Sequence, residues 1–450
     1  MNLALAVDLG TTTLEWALLP LSPLLPLPDG DPLSHALWRG SSPNPQAGLE
    51  GAGSDVLSRL AFAQSPEGRA ALHKLTAEAL ADLVRAAGSV PVCQDTSSDS
   101  KLEHDQANIV AICLAANPAM TALALDFDSA GLAAAPYSLP DRGGRWVAMP
   151  GLPKMPPIWI PPQLSPFVGG DLAAGYAALA LNPAAPPPAF PFVLADMGTN
   201  GEFLLALAPD KALAASVALG PALEGAGLRM GSAAKPGAAS GFALRPEGLT
   251  ALVLREGQQS PSPAMPGEQL CGITGTGYLS LLRLLLHSAL IDRHGHFTKG
   301  SVPVWREPSS GIKLEHCLGE SYLELPHSLR LYASDVEELL KVKAAFSLGL
   351  RRLLAAGRTA TRDLSGVWLA GSLGRHTDKE ALEALGFFPS GFLPRLHAAG
   401  NSSLAGAALA LRHPPAREAL KDWAAQVSTV NLAADPGFTR AFAAHMRFAW

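Results

Sequence analysis

Two short stretches of the 450-residue chain put acids, glycines and hydroxyl side chains close together: AVDLGTTTLEWALL at residues 6–19 and VLADMGTNGEF at residues 193–203. Both contain D-x-G-T directly after an apolar run. Glycine lets backbone N–H groups approach an anion closely and threonine hydroxyls add donors, so each turn suits a phosphate. Asp8 and Asp196 would repel that phosphate unless a Mg²⁺ or its coordinated water lay between acid and anion. Acid and glycine together therefore point to a magnesium nucleotide. Taken alone, either turn is more simply an Asp/Gly hairpin between two strands.

A third stretch, VWLAGSLGRH at residues 367–376, runs from a buried strand into small residues. Such a turn lets a base or ribose lie flat against the backbone, although a helix-entry loop has the same composition. The order along the chain is phosphate turn, phosphate turn, nucleoside turn, with the proline-rich NPAAPPPAFP at residues 182–191 just before the second.

The elements that must position these turns are legible. Strands are expected at residues 3–7, 110–114, 193–195, 203–208 and 367–369. Helices are expected at 66–87, 171–181, 277–289, 379–385 and 402–411. A long helix is expected from Ser334, with Ser334 and Glu337 in capping-box spacing and Gly357 as its stop. Strands ending in glycine turns and alternating with helices give an α/β layered fold. Residues 1–185 and 186–450 are the expected lobes, the second ending in a helical tail.

Composition narrows the function classes. With 48% hydrophobic and 16% charged residues the chain buries a large core, and a formal charge of −5 gives no basic face for nucleic acid. Cys93, Cys113, Cys271 and Cys317 are far apart, which writes no local zinc or iron–sulfur site and suits reduced thiols in the cytoplasm. No signal peptide or membrane span is expected. His294 and His296 flank a glycine in a loop and are expected to be solvated; Trp146, Trp159 and Trp305 are expected to pack beneath proline-rich loops.

The order of turns resembles the superfamily of acetate and sugar kinases, heat-shock chaperones and actin, which implies a two-lobed actin-like ATPase fold with ATP in the interlobe cleft. Further segments narrow the likeness. SSPNPQAGLEGAGSDVLSRLAFA (41–63), AANPAMTALAL (115–125), SPFVGGDLAAG (165–175), ALGPALEGAGLRMGSAAKPGA (218–238), GITGTGYLSLL (272–282) and AAGNSSLAGAALAL (398–411) resemble, in order, the ATPase module of the reductive activators of corrinoid proteins. Members of that family use ATP to return a Co(II) corrinoid on a partner protein to Co(I).

The resemblance implies a first phosphate turn of Asp8, Gly10, Thr11, Thr12 and Thr13, and a second of Asp196, Gly198, Thr199, Asn200 and Gly201. Glu202 follows where an acid could orient water. Asp8 and Asp196 would meet Mg²⁺ directly or through water. Gly371, Ser372 and Gly374 would flank adenosine, with Gly272, Thr274, Gly275 and Gly277 nearby, and Glu224 and Lys343 would contact nucleotide or Mg²⁺ or serve as surface ion pairs. Fully reductive members carry an N-terminal ferredoxin domain with a [2Fe-2S] centre, whereas this chain begins at the ATPase strand. No iron–sulfur cluster is therefore expected in it, and an external ferredoxin or flavodoxin would supply the electron. A corrinoid protein is the implied partner and a homodimer the family's expectation; a cobalamin-enzyme chaperone and a small-molecule kinase are the rival readings.

Overall fold

The structure, a computed structural model, describes residues 2–21, 30–90, 108–246, 248–258, 260–298, 313–317, 319–371, 378–432 and 436–450. Strand β1 (Asn2–Leu9) is apolar almost throughout, because it lies between two neighbours: β2 (Thr13–Pro20) antiparallel on one side and β4 (Asn108–Ala116) parallel on the other. β3 (Trp38–Pro43), β5 (Arg145–Val147) and β6 (Ile158–Ile160) complete a six-stranded sheet of order β3-β2-β1-β4-β6-β5. Asp8 and the glycine turn sit at the β1–β2 connection.

The second six-stranded sheet repeats that pattern. β7 (Phe192–Met197), β8 (Asn200–Ala208) and β9 (Lys211–Ala218) lie side by side, and Val367–Ala370 and Leu396–Gly400 follow on the far side of β7. Val427–Thr429 adds a parallel edge to β9. The Asp196 turn is the β7–β8 connection, so both D-x-G-T stretches occupy the same place in two sheets of like order. All the strands expected from the sequence form, most of them longer than expected at one or both ends.

Three helices matter for the first turn: α1 (Val56–Phe62), α2 (Pro66–Ala87) and α3 (Pro118–Ala124). α2 has the expected bounds, with Ser65 accepting from Gly68 N–H, proline at its start and Arg85 near its end. The helices Gly170–Ala180 and Ser402–Arg412 pack closely, and a Cβ on Gly406 would lie 1.8 Å from the Ala174 carbonyl oxygen.

The long helix runs from Ala333 to Ala356 and stops at Gly357 as expected, but its first turn is tied by Asp335, which accepts from Tyr332 N–H at 3.3 Å and from Arg229 N–H at 2.8 Å. The Ser334–Glu337 capping box is not used. Burial and the neighbouring Glu320 raise the Asp335 carboxyl against the lowering effect of these bonds.

By internal contacts the chain forms two units, Met1–Leu194 with Leu204–Ala214 and Asn401–Thr429, and Ala195–Phe203 with Ala215–Gly400 and Val430–Trp450. Residues 401–429 thus return to the unit of the first sheet, and the contact units are not two consecutive stretches of chain. Among the described residues no helix is long and apolar enough to cross a membrane.

Candidate functional site

The first turn is built by donors that hold its backbone from behind. Asn44, almost fully buried, donates its Nδ2 to the Gly10 carbonyl at 2.6 Å and its N–H to the Thr12 carbonyl at 2.8 Å. Between them, the Thr11 carbonyl accepts from Nη1 of Arg59 at 2.7 Å. Arg59 lies on α1 and is 0% exposed. Burial pushes its guanidinium below the ordinary arginine value, and the Asp55 charge offsets this in part. Met120 on α3 lines the same pocket, its Sδ 3.4 Å from Arg59 Nη1 and 3.7 Å from Asn44 Nδ2.

Asp8 is held in one orientation. Asn401 Nδ2 donates to its Oδ2 at 2.8 Å and Ser403 Oγ to its Oδ1 at 2.9 Å. Asn401 is also the N-cap of the helix Ser402–Arg412, accepting from Leu404 N–H at 2.7 Å. The carboxylate therefore sits by a helix start, where the dipole favours negative charge.

In the second turn the electrostatics reverse. Thr199 Oγ1 donates to Glu224 Oε1 at 2.8 Å, and the Thr199 carbonyl accepts from the N–H groups of Leu219 and Gly220 at 3.1 and 3.0 Å. Glu224 ends the short 3₁₀ turn Pro221–Glu224 and its Oε2 is buried with no hydrogen-bond partner. Gly371 takes a left-handed φ of 81°, and a Cβ there would lie 2.6 Å from Asp196 Oδ1. Glycine is required at that point, where the third turn's first residue meets the second turn's acid.

Glycines sort the expected site residues. A Cβ on Gly10 would meet nothing nearer than 3.4 Å, and one on Gly198 nothing nearer than 3.7 Å. Elsewhere protein fills the space. Gly201 faces Leu219 Cδ1 at 2.9 Å, Gly275 the Leu223 carbonyl at 1.9 Å, Gly277 the Ala239 carbonyl at 2.4 Å and Gly272 the Met230 carbonyl at 2.7 Å. GITGTG, expected near adenosine, is closely approached by backbone of this chain itself. Thr274 N-caps the helix Gly275–His287, accepting from Gly277 N–H at 3.1 Å, and Gly275 presses that helix start on the strand of chain leading to Glu224. Asn200 and Glu202 lie on β8, with Glu202 5% exposed and already engaged by neighbours.

Lys343 requires a correction. It is neither a surface ion pair nor free to reach a ligand: it is 0% exposed, and its Nζ donates to the His445 carbonyl at 3.3 Å and to the Ala449 carbonyl. Burial, with Arg351 and Arg447 nearby, lowers its pKa to about 8. It clamps the C-terminal segment onto the long helix. Among the described residues Glu224 likewise forms no ion pair, its Oε1 accepting instead from Thr199 Oγ1. Ser372 and Gly374 lie outside the described residues, as do Trp305, Cys93 and the Cys317 side chain.

Remaining groups are quiet. His294 and His296 are loop residues, His296 Nδ1 lying 3.2 Å from Asp292 Oδ2. Trp159 is buried in β6, while Trp146 is partly exposed with the Arg417 guanidinium over its ring at 5.1 Å. Cys113 is buried, which pushes its thiol up.

These residues suit Mg²⁺ held largely by nucleotide and water. A Cβ at Gly198 would stand 3.9 Å from Glu224 Oε1, so glycine keeps that carboxylate clear of a side chain, and the orphaned Glu224 oxygen is a hard donor of the kind magnesium prefers. Among the described residues no cluster of three or more His, Cys, Asp or Glu forms a protein-only metal cage. Asn44, Arg59, Asn401 and Ser403 were not assigned from sequence. The segments holding them were read for likeness alone, and the polar N-S-S before an apolar helix was the one local signal available.

Comparison with known proteins places this geometry. A family model described as the C-terminal domain of RACo, the ASKHA domain, matches residues 191–450, and another described as the RACo middle region matches residues 3–184. The chain is 25% identical over 410 residues to the corrinoid activation enzyme RamQ of Eubacterium limosum, covering 88% of this chain and 64% of the relative. It is 27% identical over 261 residues to a Co(II) methylated amine-specific corrinoid protein reductase of Methanosarcina barkeri, covering 55% of this chain and 43% of that protein. A solved reductive activator for corrinoid, iron-sulfur protein superposes with a TM-score of 0.75 at 25% identity, over 99% of this chain and 66% of that one. The chain thus spans less than two thirds of the length of these curated relatives.

Proposed function

This chain belongs to the RACo family, whose middle region and actin-like ASKHA domain it carries, and from that premise we propose that it is the ATPase engine of a corrinoid-protein activator. The observation that carries the reading is the pair of D-x-G-T turns, in which a Cβ at Gly10 or Gly198 would meet only ordinary contacts while Gly201, Gly272, Gly275 and Gly277 are packed more tightly. The relatives named for corrinoid activation and corrinoid reduction support the choice of client.

Gly10, Thr11, Thr12 and Thr13 of the first unit would offer phosphate contacts, as would Gly198, Thr199 and Asn200 of the second. Asp8, fixed by Asn401 and Ser403, and Asp196, beside Gly371, would accept from the water shell of a magnesium ion. When bound, that ion supplies charge neutralisation to the phosphates. Glu202 would orient the hydrolytic water, which must reach it inside β8, and Glu224 holds the Thr199 hydroxyl. Gly371, Ser372 and Gly374 would border adenosine. Gly201, Gly272, Thr274, Gly275 and Gly277 would act indirectly, by packing the elements behind the turns. ATP is hydrolysed to ADP and phosphate, and the change of state on the partner lets Co(II) accept one electron from a ferredoxin or flavodoxin. A cytoplasmic homodimer belongs to the same reading.

The test is the ATPase rate with Mg²⁺, with and without a Co(II)-state corrinoid protein, while the corrinoid spectrum is followed in the presence of a low-potential reductant. Stimulation together with ATP-dependent formation of Co(I) is expected. Cofactor exchange without reduction would move the reading to a cobalamin-enzyme chaperone, and turnover of a small molecule without any protein partner to a kinase.

A further inference from the structure

Arg59 presents a problem that its hydrogen bonds do not solve. It is 0% exposed, only Nη1 has partners, and Nε and Nη2 are buried without any. Among the described residues no carboxylate forms an ion pair with it. A guanidinium buried with unmatched donors is costly, so a structural brace alone is better served by a neutral side chain. Asn44, in the same pocket, already does that work for two carbonyls.

The carbonyls of Gly10, Thr11 and Thr12 are held by Asn44 and Arg59, whose side-chain donors both lie against Met120 Sδ. In a trans peptide the next residue's N–H points opposite to its carbonyl. The N–H groups of Thr11, Thr12 and Thr13 are thereby turned away from the buried donors, and those of Thr11 and Thr12 have no protein acceptor among the described residues. Their outward side is the D-x-G-T turn, where Gly10 carries no side chain to cover them. Behind it lies a guanidinium with no ion-pair partner among the described residues, its burial offset only in part by the Asp55 charge.

We propose that Arg59 is a positioning and specificity-determining residue for the first turn, aiming its amides outward through Thr11 and setting its preference for a polyphosphate by charge. The proposal rests on the nucleotide reading above. A charge acts on an anion in proportion to the anion's own charge, whereas a misplaced backbone weakens every nucleotide alike. The two roles are therefore separable.

The experiment is calorimetric titration of the full chain and its Arg59→Met and Arg59→Lys variants with ATP, ADP and AMP in magnesium, with thermal melting of each. Arg59→Met is expected to weaken ATP at least about tenfold, as one unit charge does at an effective dielectric of ~20, with a smaller loss for ADP and the least for AMP. Arg59→Lys, which keeps the charge but not the guanidinium fork, falls between. Equal losses for all three nucleotides, or unchanged affinities in a folded variant, overturn the proposal and leave a structural arginine. If Arg59→Met does not fold, Arg59→Gln, which also removes the charge but keeps a donor for the Thr11 carbonyl, decides in its place, and must weaken ATP more than AMP. Wild-type protein that binds no nucleotide would sink the proposed function and this inference together; wild-type binding with a flat variant series removes only the role of Arg59.

Discussion

The β1–β2 turn and the β7–β8 turn share D-x-G-T and the same place in two sheets of like order, yet their surroundings carry opposite charge. Behind the first lies a buried guanidinium, with donors on three successive carbonyls. Beside the second lies a carboxylate, one oxygen on the Thr199 hydroxyl and the other unpartnered. A tetrapeptide thus specifies a backbone shape, while its neighbours decide which ion that shape suits. On the function proposed above, the charge behind the first turn would favour its phosphate contact and the carboxylate beside the second would favour a cation.

Neutralising the two acids is the strongest way to break this contrast. Asp8→Asn and Asp196→Asn are each expected to lower the ATPase rate by about 10²–10³, as loss of one preorganised electrostatic group does. Activity that survives Asp196→Asn under saturating magnesium would show that the second turn holds no cation. Next comes the support of Asp8. Gly406→Ala would drive a Cβ onto the Ala174 carbonyl and disturb the helix that carries Asn401 and Ser403, at a cost of about 2–4 kcal/mol in chemical denaturation.

Glu224→Gln sharpens the comparison by removing charge from the second turn alone. The magnesium concentration for half-maximal ATPase is expected to rise about tenfold, roughly 1.4 kcal/mol, with ATP affinity at saturating magnesium little changed. Arg59 variants should do the reverse. The glycines divide in the same manner: Gly198→Ala should fold normally and bind nucleotide more weakly, whereas Gly201→Ala should cost about 1–3 kcal/mol of stability, because Leu219 stands 2.9 Å from its Cβ.

The smallest effect concerns the second unit's own buried cation, Lys343, which lies under the C-terminal segment and not under a turn. Its folded pKa of about 8 is below the ordinary 10.5, so between those values the unfolded chain binds more protons and stability rises with pH. The penalty of the buried ammonium is complete below about pH 8 and relieved above it. Relative to Lys343→Met, the wild type should gain about 1 kcal/mol in urea denaturation from pH 7 to pH 9. A flat difference would mean that the ammonium is well solvated.

Local pattern made much of this molecule legible. The apolar runs before each D-x-G-T became strands, Pro66–Ala87 became the expected helix, and the first glycine of AGSLG is the one that must approach Asp196. Those features depend on neighbours in sequence: strand burial, caps and turn conformations. Lys343 shows where such reading stops, since its length and charge fit a ligand contact until the carbonyl partners 102 and 106 residues further on are known.

By itself the sequence determined where acid, glycine and hydroxyl groups meet at the ends of strands, and that two such turns exist. Only the tertiary structure decided what stands behind each of them. Arg59 reaches Thr11 across 48 residues, and Asn401 and Ser403 reach Asp8 across 393 and 395. A buried polar side chain must find its partners wherever packing brings them. Backbone periodicity is a local property of the chain, but the charge behind a turn is a sum over everything folded against it.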